Sequence, residues 1–546
     1  MAQLNKYDRA NLIENHETDF MSKEANLRNM LKVFVVGIFS FAIFLSVHPA
    51  KVFANNLSVS NVRLIDQDTS ADTIVAEFDI SWSNAWKDPV NNDAAWVFFK
   101  YSTDSGSTWY HATLKASGTN PTGFSTGSKS SGSFAALDII VPADKKGCFI
   151  QPRSQGAGSL SFTDLQAVWD YGHDGLSDST ASASTTRIKV FAIEMVYIPE
   201  EGFYAGDGTA GTNGEFQYGG SATGEPGAIN SEDGIAFMNN SANGWYYKSA
   251  GNSGENSSGA SFWVSEAFPK GYQAFYLMKY EISQGQYADF LNNLTSTQAS
   301  NRYPNQNGSY RHTISGSYAS YSATRADRAC NYLNWMDVAA YADWAALRPF
   351  SELEFEKVCR GPLYPVSGEY AWGTTSATAA AAISGTENGT ETITTANANL
   401  NYNNTTFTGG DGGQGPLRAG IFATSSTVTR QSTGSGYYGN TELSGNLWER
   451  CVTVGNATGR GFAGTHGDGV LTTTTSYEGN ATNLDWPGIS STPSRGVTSA
   501  TGSGFRGGTC STTVANYQRI SDRTFAALDQ STRDKERGGR LARTAE

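Results

Sequence analysis

The chain has 546 residues, a formal net charge of −12, 16% charged residues and 12% aromatic ones. That length exceeds what one core supports, so two or three domains are expected. The aromatic content excludes a disordered chain, and an acidic balance with no basic stripe excludes nucleic acid as a partner. Glycine, at 59 residues, together with abundant Ser, Thr and Asn, suits a loop-rich exported β or mixed protein better than a helical cytosolic enzyme.

Residues 1–29 are polar and mixed in charge. The apolar run Val33–Val47 is short for a membrane span and right for a signal-peptide core. Lys32 flanks it, and Val52-Phe53-Ala54 is an acceptable cleavage site. Residues 1–54 therefore read as an N-terminal extension and signal peptide, with translation starting at Met21 or Met30. An uncleaved anchor is the alternative. The expected location is the cell surface, the periplasm or the medium. A membrane enters only through that anchor.

Residues 55–194 read as a β-sandwich-like domain. Strands are expected at 61–65, 73–82, 95–101, 109–114, 136–141 and 187–193, separated by Gly, Ser, Asp and Asn clusters. Trp82, Trp86, Trp96 and Trp109 could form a carbohydrate platform, but core packing accounts for them more simply. From Met195 the style changes to a second domain, 195–546. Its stretch 206–259 reads as a long surface excursion, and Phe275–Ile282 as a strand. Ser283 caps a helix carrying Tyr287, Phe290 and Leu291 at helical spacing. Another helix is expected near Trp335–Leu347. Ser351 and Glu354 form a capping box for a third, whose Glu352, Glu354 and Glu356 read as a solvated face. Residues 374–440 are loop-dominated, and Leu443–Glu449 is a compact turn leading into a strand. The fold class is α+β.

The five cysteines, Cys148, Cys330, Cys359, Cys451 and Cys510, show no CxxC spacing, which disfavours zinc or thioredoxin-type chemistry. An odd count leaves at least one thiol free or pairing between chains. One or two bridges and buried free thiols both stay open. The last forty residues are patterned differently. Gly507, Gly508, Arg519, Arg523, Gly538, Gly539 and Arg540 read as fixed clamps, since Gly permits close backbone packing and Arg ties loops to carboxylates and carbonyls. Between them lie residues that read as interchangeable: Thr509, Ser511, Thr512, Thr513, Asn516, Tyr517, Thr524, Phe525, Leu528 and Asp529.

The stretches MVYIPEEGFYAGDG, KYEISQGQYADFLN, WMDVAAYADWAALRPFSELEFEKVCRG, EYAWG, LSGNLWERC and GFRGG, in that order, resemble the formylglycine-generating-enzyme/sulfatase-modifying-factor family. The resemblance covers 195–543 and implies a C-type-lectin-like fold. Its oxidase members carry two copper-binding cysteines after the GG motif. Those positions fall at Thr512 and Tyr517 here, and Cys510 is out of place. A copper oxidase needs two converging thiolates, so copper is not expected. The six histidines are scattered, so iron is not expected either. The chain is thus expected not to be an enzyme.

GFRGG, an irregular patch, RISDR, a second patch and GGRLAR resemble the variable region of diversity-generating-retroelement target proteins. This about 504–543 segment would then be a hypervariable ligand-binding surface, rewritten at adenine positions, facing an unknown protein, peptide or glycan. Structural calcium is implied by the larger family. One implied set is Glu442, Gly445, Leu447 and Glu449. A second is Asn399, Leu400, Asp411 and Gly413. Carboxylate and carbonyl oxygens in tight turns are what calcium requires. The alternatives are an enzyme of the same superfamily, or a structural surface protein binding through its β domain.

Overall fold

A computed structural model describes residues 56–208, 214–220, 225–239, 243–404, 406–424 and 429–546. The expected signal peptide or anchor, within 1–54, lies outside the described residues. Among the described residues no helix is long and apolar enough to cross a membrane.

The protein is mostly β with few helices. A four-stranded sheet has the order Ser58–Asp68, Thr73–Lys87, Gly156–Trp169, Ser128–Gly132. An eight-stranded sheet runs Ala542–Thr544, Phe275–Met278, Arg187–Ile198, Asp93–Ser102, Cys148–Pro152, Leu137–Val141, Gly118–Thr119, with Tyr110–His111 paired to Asp93–Ser102. Alternation along Asp93–Ser102 decides what each face meets. Ala95, Val97 and Phe99 share a core with Phe78, Ile80 and Trp82 of the smaller sheet. Ala94, Trp96 and Phe98 turn the other way and pack with Tyr287, Phe290, Val338 and Trp344. All ten residues of this strand are buried, as expected for a strand covered on both faces.

The expected junction at 194/195 falls inside the Arg187–Ile198 strand. That strand pairs antiparallel with Asp93–Ser102 from Arg187 to Val196 and with Phe275–Met278 from Met195 to Ile198. The N-terminal segment and the later one therefore share a sheet, which the C-terminus closes at one edge. The Gly156–Trp169 strand escaped the sequence reading. Its buried residues, Leu160, Phe162, Leu165, Ala167, Val168 and Trp169, change phase at a bulge beside Asp164, where the register shifts.

The helices Gln284–Leu291, Ser296–Arg302, Trp335–Trp344 and Glu352–Arg360 each begin with a capping box, from Ser283, Thr295, Asn334 and Ser351. Residues 206–259 are more than a surface excursion: Phe216, Phe237, Trp245 and Tyr247 enter the main core. Trp82 and Trp96 are fully buried and Trp86 and Trp109 half-buried, so they make no exposed platform.

All five cysteines are free and buried, and burial pushes their thiols well above the usual range. A thiol-reactive dye should therefore label none of them in native buffer and all five in denaturant. Labelling of the native protein would show an opening that this packing forbids.

Candidate ligand-binding face

The C-terminal segment is built around a three-stranded sheet. Ser503–Arg506 pairs antiparallel with Trp448–Val452, which pairs parallel with Arg537–Gly538. Directly opposed residues share a face. Glu449 opposes Arg506, and Arg450 opposes Phe505. One face therefore carries Glu449, Cys451 and Arg506. The other carries Trp448, Arg450, Phe505 and Arg537.

The first face lies on a buried ionic lattice. Arg506 donates to Glu352 at 3.1 Å and to Glu356 at 2.8 Å. Arg523 forks onto Glu352 at 2.6 and 2.9 Å. Glu356 also accepts from Arg360 at 3.2 Å, and Glu354 accepts from Arg348 at 2.7 and 3.0 Å. Glu352, Glu354 and Glu356 are at most 1% exposed, which overturns the solvated-face reading. Two of the counter-charges, Arg506 and Arg523, arrive from more than a hundred residues away, and no local pattern announces them.

Arg540 forks onto Glu449 at 2.8 to 3.1 Å. It also donates to the carbonyls of Met278, Lys279 and Thr441 at 3.0, 2.7 and 2.6 Å. Arg519 pairs its backbone with Tyr370 and lays its guanidinium against Gly368. Gly508 has φ +79°, and a Cβ there would meet Gln518 Oε1 at 2.1 Å, so only glycine fits. Gly507 lies against Leu443, Gly538 against Leu447 and Gly539 against Val338. The main chain is tied down as well. Phe505 N–H donates to Phe525 O at 2.9 Å, Cys510 N–H to Asn446 O at 2.8 Å, and Trp448 N–H to Glu536 O at 2.8 Å.

The residues read as interchangeable do not all point outward. Thr509 is fully buried: it lies inside the buried run 502–510, which ends at Cys510, and its carbonyl accepts from Gln518 Nε2 at 3.3 Å. It is removed from the exposed set. Thr513 and Asn516 are exposed. Ser511, Thr512, Tyr517, Thr524, Phe525, Leu528 and Asp529 are half-buried. Ser511 donates to Glu536. Tyr517 and Phe525 meet edge to face at 5.2 Å, and both touch Trp448, at 5.9 and 5.3 Å. Phe505 lies 6.3 Å from Trp448. The sequence reading missed Trp448 and Phe505 as the floor of this cluster. The alternation in Trp448-Glu-Arg-Cys and Gly504-Phe-Arg506 holds that signal, because it sets both rings opposite the buried carboxylates.

In this arrangement the side-chain oxygens of the implied calcium sets are engaged by protein partners. Arg540 occupies both oxygens of Glu449, and Glu442 accepts from Gly420 N–H at 2.8 Å and from Thr441. In the second set, Asp411 is paired with Arg325 at 2.6 and 2.7 Å and with Arg328 at 3.0 Å. The hydrogen bonds to Arg325 hold the Asp411 carboxyl at about 2. Asn399 spends its amide on Ser376, Thr378 and Gln431, while Leu400 O accepts from Ala380 N–H and Gly413 O from Phe407 N–H. Removing calcium with a chelator is therefore expected to leave the melting temperature unchanged, and a drop of several degrees would show that these ion pairs yield to the metal.

Residues 252–545 match the family model described as the sulfatase-modifying factor enzyme 1-like domain. That is more than half of the chain, and the chain belongs to this family. No curated protein matches it.

Proposed function

We propose that this chain is an exported, non-catalytic binding protein whose C-terminal face carries the ligand contacts and is rewritten by a retroelement. One observation carries the reading. Along 504–543 Arg506, Arg523, Arg533 and Arg540, the glycines and the main chain are held by buried partners, while Thr513, Asn516, Tyr517 and Phe525 lie on a partly exposed surface above them. Such a surface tolerates replacement because its scaffold does not depend on it. On this reading 55–194 is a β-sandwich-like domain and 195–546 a C-type-lectin-like one. Thr512 and Tyr517, standing where the resemblance puts the oxidase cysteines, support the non-catalytic assignment, and the ligand is a protein, peptide or glycan.

The test is to sequence residues 504–543 and their flanking DNA across a population. Clones differing at Ser511, Thr512, Thr524 and their neighbours, with a near-copy of the region beside a reverse transcriptase gene, are expected. An invariant region with no such copy would overturn the diversification. Turnover of a cysteine-containing sulfatase peptide would overturn the non-catalytic assignment. Once a ligand is captured, Tyr517→Ala and Phe525→Ala should each cost about 2 kcal/mol of binding, as aromatic anchors do. The protein itself should lose only a few degrees of stability.

A further inference from the structure

Arg450 has no assigned role. It is 0% exposed, and its three guanidinium nitrogens make no hydrogen bond to any described residue. Every other fully buried arginine among the largest buried side chains holds a carboxylate or a carbonyl. Asp337, the carboxylate whose field reaches Arg450, already holds Arg533 at 2.7 and 2.8 Å and Arg302 at 3.3 Å. What Arg450 touches is Phe505, whose ring centre lies 4.1 Å from its guanidinium carbon. Arg537 approaches the same ring at 5.2 Å. Two like charges thus share one ring, and a guanidinium buried without a counter-charge is among the costliest arrangements a fold can hold.

The place of Arg450 says what would relieve it. Strand alternation puts it on the side of Trp448 and Phe505, the floor of the aromatic cluster with Tyr517 and Phe525. Arg537 stands opposite Trp448 and bonds Thr532 at 2.7 and 2.8 Å, and Gln530, in exposed contacts that can open. A guanidinium stacked on a ring keeps its N–H edge free for a planar, two-oxygen acceptor.

We propose that the ligand of this face delivers a carboxylate to Arg450, with Arg537 as the second cation and Trp448, Phe505, Tyr517 and Phe525 around the apolar part next to it. The ligand is thus an acidic one: an Asp or Glu side chain, or a chain-terminal carboxylate, beside an apolar group. The ligand class rests on the binding-face reading above, whereas the anion subsite rests on Arg450 alone.

The experiment is thermal melting of the full chain in acetate, benzoate, phosphate or chloride at matched ionic strength, for wild type, Arg450→Met and Arg537→Gln. Acetate and benzoate should raise the wild-type melting temperature above its value in chloride, with benzoate acting at lower concentration. Arg450→Met should abolish that rise and be no less stable than wild type in chloride, since it removes an uncompensated charge. Arg537→Gln, at the surface, should weaken apparent benzoate affinity by about tenfold or more, the loss of one charge-assisted contact. If Arg450→Met fails to fold, the wild-type and Arg537→Gln arms decide. No carboxylate-specific rise in wild type, or a rise retained in Arg450→Met, overturns the subsite. A response to phosphate alone overturns the carboxylate assignment. A carboxylate response without any ligand dependent on Tyr517 and Phe525 leaves the subsite standing and removes the binding-face reading. The converse removes only the subsite.

Discussion

Glu352→Gln is expected to destabilise the protein by about 3–5 kcal/mol, the cost of breaking a buried ion pair by removing one partner. Glu352 accepts from Arg506, from Arg523 twice, from Thr453 Oγ1 at 2.9 Å and from Val454 N–H at 2.8 Å. A neutral amide has the same shape but cannot accept all of these, and it leaves Arg506 with Glu356 alone and takes from Arg523 the carboxylate it forks onto. Denaturant unfolding at neutral pH measures the loss as a lower midpoint at unchanged slope. A loss under 1 kcal/mol would mean that the lattice is compensated elsewhere.

The same network gives a pH signature. Burial pushes the Glu352 carboxyl up, but Arg523 and then Arg506 outweigh it, and the net value lies below 4.5. A carboxyl depressed by folding contributes stability that is full above its unfolded value. That contribution is lost as pH falls through its folded value. The wild type should therefore lose stability below about pH 4.5 more steeply than Glu352→Gln, which has already lost this term.

What the sequence told, and what it withheld, follows from the range of the signals. Ser283 and Ser351 were legible as caps because a capping box spans only three residues. Phe78 to Trp82 were legible as a strand because period two needs only a few residues. The Gly and Arg clamps were legible as a pattern, though not by their partners. Glu352, Glu354 and Glu356 read as solvated because a run of acids on a short helix usually is. The arginines that make burial tolerable are Arg360, four residues from Glu356, Arg348, six from Glu354, and Arg506 and Arg523, over a hundred residues on. Thr509 looked interchangeable beside Ser511, yet the buried run 502–510 that follows the strand ends at Cys510, between the two. The shared sheet at residue 194 was hidden for the same reason. A strand covered on both faces by elements distant in sequence carries no local sign of a domain junction.

Arg540 shows most directly how a distant partner decides a site. Its one side chain meets Glu449 and three carbonyls, of Met278, Lys279 and Thr441, on elements up to 262 residues apart in sequence. Arg540→Lys keeps the charge but not the planar fork, and a lysine cannot reach all these acceptors from one position. Arg540→Lys is expected to lose about 3 kcal/mol, and Arg540→Met about 3–5 kcal/mol, because Glu449 is then buried without a counter-charge. The double variant Arg540→Met with Glu449→Gln should recover part of that, with a coupling of about 1–3 kcal/mol between the two sites. Additive losses would mean that Glu449 is held by something other than Arg540. The Glu442–Glu449 turn would then have to be read again as a cation site, because Arg540 is the group that now fills it. Strong coupling fixes Arg540 as the built-in cation of that turn. The strand that bears Trp448 is then held by protein alone, as the proposed binding face requires of its foundation.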